Sequence, residues 1–189
     1  MGGCASRASK GKFSLELALE AFRQVGRLLW EAGLVSSHGG NMSVKLDNGT
    51  LAITRHGCML GRIEEGDLVQ VAIDGQAQGE PSMDTAIHRS IYEATAARTV
   101  IHAHPPHAVA LSLLDSTIEP RDLEGQFYLG SMAVIEAAEI TMALEKGVIA
   151  AVRGHGSYAR GATLEEALQW TSVLEESARV LWLLRSLPR

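Results

Sequence analysis

The chain has 189 residues, of which 46% are hydrophobic and 21% charged, and carries a formal net charge of −5. That is the composition of one globular domain able to bury roughly 70% of its unfolded surface, which excludes a disordered or fibrous chain. The acidic balance, with its basic residues scattered, also excludes a general attraction to nucleic acid or to an anionic membrane surface.

Residues 1–12 are small and polar and are expected to form a disordered leader to a domain over 13–189. Within that leader Met1-Gly2-Gly3-Cys4-Ala5-Ser6 fits the loose N-myristoylation pattern, a lipid anchor being the lesser alternative to a plain leader. No apolar run approaches the roughly 20 residues that span a bilayer, and no apolar segment of a secretory signal follows the basic residues. Cys4 and Cys58 make no disulfide framework; they read as free thiols in a reducing, cytoplasmic compartment.

Ser14 can cap a first helix whose apolar residues Ala18, Ala21, Phe22, Val25, Leu28, Leu29 and Ala32 recur at helical spacing up to Gly33. Val44–Leu46 and Leu51–Ile53 read as a hairpin through Asp47-Asn48-Gly49, because Asn-Gly tolerates positive φ. Leu68–Ile73 is a further strand, and Ser82 can cap a helix carrying Ile87, Ile91 and Tyr92. A short β-rich run at Thr99–His104 precedes a helix that starts at Pro105-Pro106 and continues through Leu114. A strand at Ala133–Ile135, a helix through Leu144 stopped at Gly147, and a buried-type strand at Val148–Val152 follow. Thr163 with Glu166 forms the capping box of a long last helix. Strands and helices alternate without a dinucleotide fingerprint, so the class is α/β.

Seven histidines are present, at 38, 56, 88, 102, 104, 107 and 155. In a strand, alternate residues share a face, so His102 and His104 can reach one ion while Ala103 points away. Three neutral imidazoles with an open position make a catalytic zinc site. His155, set between Gly154 and Gly156, is the candidate third ligand, since glycines allow close backbone approach. By the same reading His107 and His88 are structural hydrogen-bonding residues. Asp84 stands at a helix N-terminus, where it is a cap, a general base near the metal or a displaceable fourth ligand. Gly40, Asn41, His56, Gly57 and Ser82 are candidate anion binders, each equally compatible with an ordinary turn.

Taken together, Gly40-Asn41-Met42-Ser43, Thr54-Arg55-His56-Gly57, Pro81-Ser82-Met83-Asp84, His102-Ala103-His104 and Gly154-His155-Gly156 resemble the class II aldolase/adducin family over nearly the whole chain. The resemblance implies a single domain with a central, mainly antiparallel sheet flanked by helices, assembled as a homotetramer with sites between neighbours. It implies Zn2+ or another divalent cation on His102, His104 and His155, acid–base work at Asp84, and substrate phosphate near Asn41, Gly57 and Ser82. It also implies a cross-subunit acid or base, for which Glu124 and Tyr128 lie in the right region.

Departures from the pattern bear on the reaction. Fuculose-type aldolases usually carry Glu where this chain has Asp84, and Asp84-Thr85-x-x-His88 is closer to the sugar-phosphate 4-epimerase of the family. His56 and Met83 replace hydroxyl residues, and His38 stands where Thr is common, which leaves open a substrate without phosphate. The expected activity is reversible cleavage of a small ketose or ketose phosphate through a metal-stabilised enediolate. The alternatives are the family's epimerase or dehydratase chemistry, or an adducin-like binding role.

Overall fold

The computed structural model describes residues 15–75 and 79–188, so the leader expected at 1–12 and the Ser14 cap lie outside the described residues. The first helix, α1 (Leu15–Glu31), buries Ala18, Phe22, Val25 and Leu29 along one stripe, as its three-to-four-residue spacing requires. It ends where Gly33 turns left-handed at φ 69° and Leu34 N–H returns to the Leu29 carbonyl at 2.9 Å.

Strands β1 (Asn41–Lys45) and β2 (Thr50–Thr54) form the expected hairpin, with Gly49 at φ 80° and the Asn48 carboxamide accepting from Thr50 N–H at 3.0 Å. The chain continues through β3 (Leu68–Ala72), α2 (Thr85–Ala94), β4 (Thr99–Ala103), α3 (Pro106–Leu114) and β5 (Thr117–Ile118). Then come α4 (Leu123–Tyr128), β6 (Met132–Ile135), α5 (Ile140–Lys146), β7 (Ile149–Val152), β8 (Gly156–Gly161) and α6 (Leu164–Ser186).

The strands lie in the order β3-β2-β1-β4-β8-β7-β6-β5. Every neighbouring pair is antiparallel except β6 with β7, so the sheet is mainly antiparallel as expected. Helices cover both faces. On one, α1, α3 and α6 pack Phe22, Leu29, Leu111 and Leu174 onto Met42, Val44, Ile101 and Ala159. On the other, α2 and α5 pack Ile91, Tyr92, Ile140 and Leu144 onto Leu51, Ile53, Val100 and Tyr158. Strand alternation sorts the two sets, so Val100 and Ile101 belong to opposite cores.

Three local outcomes differ from the sequence reading. Ser82 does not cap α2: the N-cap position is Asp84, and Ser82 sits two residues ahead, its hydroxyl accepting from Asp84 N–H at 3.2 Å. In the capping box of α6, Thr163 accepts from Glu166 N–H, but the Glu166 carboxylate returns to Ala162 N–H at 2.6 Å, one residue early. Finally, Gly156–Gly161 forms a strand in the middle of the sheet, between β4 and β7. Its two glycines and Arg160 carry no strand signal; two paired neighbours hold it extended.

Candidate metal centre

The centre lies at one end of β1, β4 and β8, on the face covered by α2 and α5. His102 in β4 stands opposite Asn41 of β1 on one side and Tyr158 of β8 on the other. Ile101 and Ala103 point into the α1/α6 core, and His102 points away from it. His104, just past the end of β4, returns to the same face, and its Nε2 lies 2.9 Å from His102 Nε2. His155, in the turn between β7 and β8, stacks on His102 with ring centroids 4.7 Å apart. The candidate ligand atoms of His102, His104 and His155 all lie within 4.8 Å of one another.

Hydrogen bonding prepares this set for a cation. His102 Nδ1 lies 3.0 Å from the Ser157 carbonyl oxygen, which can only accept, so Nδ1 carries the proton and Nε2 presents its lone pair. Burial, with His104 close by, drives the His102 pKa well down, and burial with His155 lowers that of His104. Both rings are therefore neutral at neutral pH, the form that binds metal. A donor set of three imidazoles suits Zn2+ and related divalent ions; the residues fit the group that the sequence pattern implies.

Close backbone approach explains two of the glycines. A Cβ on Gly156 would overlap the Ala103 carbonyl oxygen and stand 2.8 Å from His104 Cδ2. One on Gly39 would stand 2.8 Å from His104 Nδ1 and 2.6 Å from Ser36 Oγ. The His104 ring is thus held between two glycine backbones, while its own N–H donates to the Leu34 carbonyl at 2.7 Å.

Asp84 completes the cluster. Its carboxylate makes no capping bond to the start of α2. Instead Oδ2 accepts from Asn41 Nδ2 at 2.7 Å and lies 3.8 Å from His102 Nε2. Burial works to raise the Asp84 pKa, yet the Asn41 donor, the neighbouring His102 and His88, and the Tyr158 hydroxyl together hold it below the usual carboxylate value. Because burial keeps both histidines neutral above the acid range, the Asn41 and Tyr158 donors maintain the ionised carboxylate at neutral pH.

Behind Asp84 runs a buried polar chain. His88 Nδ1 lies 2.6 Å from Ser43 Oγ, which lies 2.8 Å from the Tyr92 hydroxyl. Asn41 and Ser43 are alternate residues of β1, and Asp84 and His88 are one turn apart, so two polar rungs tie the strand to the helix. His88 is therefore a buried structural residue, and the half-buried His107 is held by Glu175, whose carboxylate lies 2.6 Å from its Nδ1.

The candidate anion binders converge in part. Arg55 and Pro81 form an antiparallel bridge, with His56 N–H donating to the Glu80 carbonyl and Ser82 N–H to the Thr54 carbonyl, so His56 and Ser82 lie on either side of the Arg55–Pro81 pair. Gly57 is left-handed at φ 71° and Gly40 at φ 80°. Asn41 spends an amide proton on Asp84, leaving its Oδ1 buried without a hydrogen-bond partner. Glu124 and Tyr128 are placed elsewhere: both are on exposed α4, Tyr128 tilted against Trp170 of α6, and neither contacts the histidines or Asp84.

Sequence reading missed Tyr158 and Ser157. Tyr158 is 1% exposed, stacks on His102 at a centroid distance of 4.2 Å, and its hydroxyl faces the Asp84 carboxylate. The only sequence signal was its place three residues after His155, which says nothing until β8 is paired with β4.

The fold and the three-histidine cluster define a single-domain α/β protein equipped to hold a metal ion beside a carboxylate. Residues 20–182 match the family model for the class II aldolase and adducin N-terminal domain. The crystal structure of L-fuculose-1-phosphate aldolase from Thermus thermophilus superposes with a TM-score of 0.85 at 36% identity, over 90% of this chain and 97% of that one. Methylthioribulose-1-phosphate dehydratase of Acidiphilium cryptum is 31% identical over 80% of this chain and 83% of its own. 3-Oxo-tetronate 4-phosphate decarboxylase of Haemophilus influenzae is 28% identical over 88% and 87%, respectively. The chain belongs to the class II aldolase and adducin family. It is an enzyme of that superfamily, whose members carry out aldol cleavage, dehydration and decarboxylation.

Proposed function

We propose that this protein is a zinc-dependent class II aldolase that reversibly cleaves a small ketose phosphate into two carbonyl fragments. The observation that carries the reading is the placement of Asp84: an ionised carboxylate 3.8 Å from His102 Nε2, free of any capping duty. His102, His104 and His155 would hold the ion, which supplies Lewis acidity toward the carbonyl and adjacent hydroxyl oxygens of the substrate.

In the condensation direction Asp84 takes the proton from the carbon next to the ketone carbonyl, and the electron pair becomes the enediolate that attacks the aldehyde. In cleavage a second base takes the proton of the hydroxyl on the carbon that becomes the aldehyde, the carbon–carbon pair flows back to the enediolate, and Asp84 returns its proton to the enediolate carbon. In condensation the same second group protonates the new alkoxide. Asn41 fixes the carboxylate during both steps. Gly40, Asn41, His56, Gly57 and Ser82 would receive the phosphate, through backbone N–H groups at the two left-handed glycines and the side chains of His56 and Ser82.

The chain would work as a homotetramer. Leu123 and Phe127 on α4 are 80% and 82% exposed, an apolar surface suited to burial against another copy. Glu124 and Tyr128 share that helix, so a neighbour would present them to the centre as the second acid or base. No helix among the described residues is long and apolar enough to cross a membrane; we assign the enzyme to the cytoplasm on its cysteine usage.

Dehydration is the second reading, favoured by the Acidiphilium relative. Incubating the zinc-loaded protein with phosphorylated and free ketoses separates the possibilities by product: two carbonyl fragments, a stereoisomer, a dehydrated ketone or carbon dioxide. A dehydrated ketone or carbon dioxide as sole product overturns the aldolase assignment.

A further inference from the structure

The residue that touches both halves of the centre is Tyr158. The antiparallel register of β4 and β8 sets it directly opposite His102. Its ring lies 13° from the plane of the His102 imidazole at 4.2 Å, on a ring whose far end is already fixed by the Ser157 carbonyl. A buried tyrosine hydroxyl needs a polar partner, and the group that the Tyr158 hydroxyl faces is the Asp84 carboxylate. Asn41 approaches the same carboxylate from β1. The Asp84 carboxylate thus lies between a side chain from each strand that flanks β4, Asn41 donating to it and the Tyr158 hydroxyl facing it.

Neither contact is required by the core. A phenylalanine or leucine would fill the same space among Val100, Ala150 and Val152, and only a tyrosine can both stack on the ligand and bond the carboxylate. We propose that Tyr158 is a positioning residue that sets Asp84 and His102 relative to one another, its ring orienting the ligand and its hydroxyl orienting the carboxylate. The proposal rests on the reading of Asp84 as the proton-transferring base, and the two are tested separately.

The whole zinc-loaded protein is compared with Tyr158→Phe, which keeps the ring, and Tyr158→Leu, which loses both ring and hydroxyl. Zinc affinity is read by chelator competition, folding by thermal unfolding, and proton transfer by exchange of the C3 hydrogens of dihydroxyacetone phosphate with D2O. Tyr158→Phe should keep wild-type zinc affinity and lose about tenfold or more in exchange rate, as expected for one lost hydrogen bond to a charged group. Tyr158→Leu should in addition weaken zinc about tenfold, the low end for losing a residue that orients a metal ligand. In an Asp84→Asn background, Tyr158→Phe should cause no further loss of exchange.

Wild-type zinc affinity in a folded Tyr158→Leu protein overturns the role of the ring. Exchange within twofold of wild type in Tyr158→Phe overturns the role of the hydroxyl, as does an equal loss when Asp84 is already Asn. Absence of exchange in the wild-type protein, or near-normal exchange in Asp84→Asn alone, counts instead against Asp84 as the base. In that event the zinc measurements still decide whether Tyr158 positions His102.

Discussion

Asn41 Nδ2 donates to Asp84 Oδ2 at 2.7 Å, joining the first residue of β1 to the residue that opens α2. This contact turns the carboxylate away from the helix N-terminus, where an aspartate would ordinarily cap, and toward His102. The helix start is left to Ser82, whose hydroxyl and carbonyl accept from Asp84 N–H and Thr85 N–H.

Because Asp84 caps nothing, Asp84→Asn should leave the fold intact, and the new amide oxygen can still accept from Asn41. Turnover should fall on the order of 100-fold or more, the usual contribution of general acid–base catalysis. Steady-state kinetics on protein of verified zinc content checks this. Near-normal turnover would move the base elsewhere, with Glu124 and Tyr128 the next candidates.

His102 is the central member of the histidine cluster, stacked on His155 and paired with His104. His102→Ala should therefore remove most bound metal and activity together. Chelation of the wild-type protein should abolish activity, and added Zn2+ or another divalent cation should restore it. Elemental analysis showing full metal occupancy in the variant would refute the assignment.

Gly156 has no side chain with which to hold an ion, yet its α-carbon abuts the Ala103 carbonyl and the His104 ring. Gly156→Ala should force β8 away from β4 or push His104 aside. Zinc affinity should fall roughly 10-fold or more, in the range seen when the support of a metal ligand is lost. Unchanged affinity in a chelator titration would show that the ring has room to give.

Burial lowers the pKa of His88 from 6.5 to about 4. Between those values the unfolded chain binds a proton at this position that the folded chain refuses, so stability falls as pH drops through the window and levels off below it. The loss attributable to His88 should be on the order of 3 kcal/mol. Urea unfolding of the metal-free protein at several pH values measures it, and His88→Asn should flatten the profile between about pH 6.5 and pH 4.

The exposed Leu123 and Phe127 argue for assembly through α4. Light scattering should give a mass near four times 20.2 kDa, and the double substitution Leu123→Glu, Phe127→Glu should lower both mass and activity. A fully active monomer would remove the need for any residue donated by a neighbour.

Local patterns were enough to read α1, the β1–β2 hairpin and the long α6, since helical periodicity, Asn48-Gly49 and Thr163 act over a few residues. The same holds for His102 and His104 as a pair, because two residues apart on a strand share a face whatever the strand packs against. The motif order from Gly40 to Gly156 further identified the family, and with it His155 and Asp84 as partners of that pair. What β8 does was not legible, because its extended form comes from hydrogen bonds to β4 and β7 rather than from its own side chains. Everything that depends on that pairing was hidden with it: Ser157 orienting His102, Gly156 confining His104, and Tyr158 reaching Asp84. Asp84 itself was ambiguous for the same reason. Its sequence position is that of a helix cap, and only the approach of Asn41, carried in by a strand 43 residues away, decides that the carboxylate faces the histidines instead.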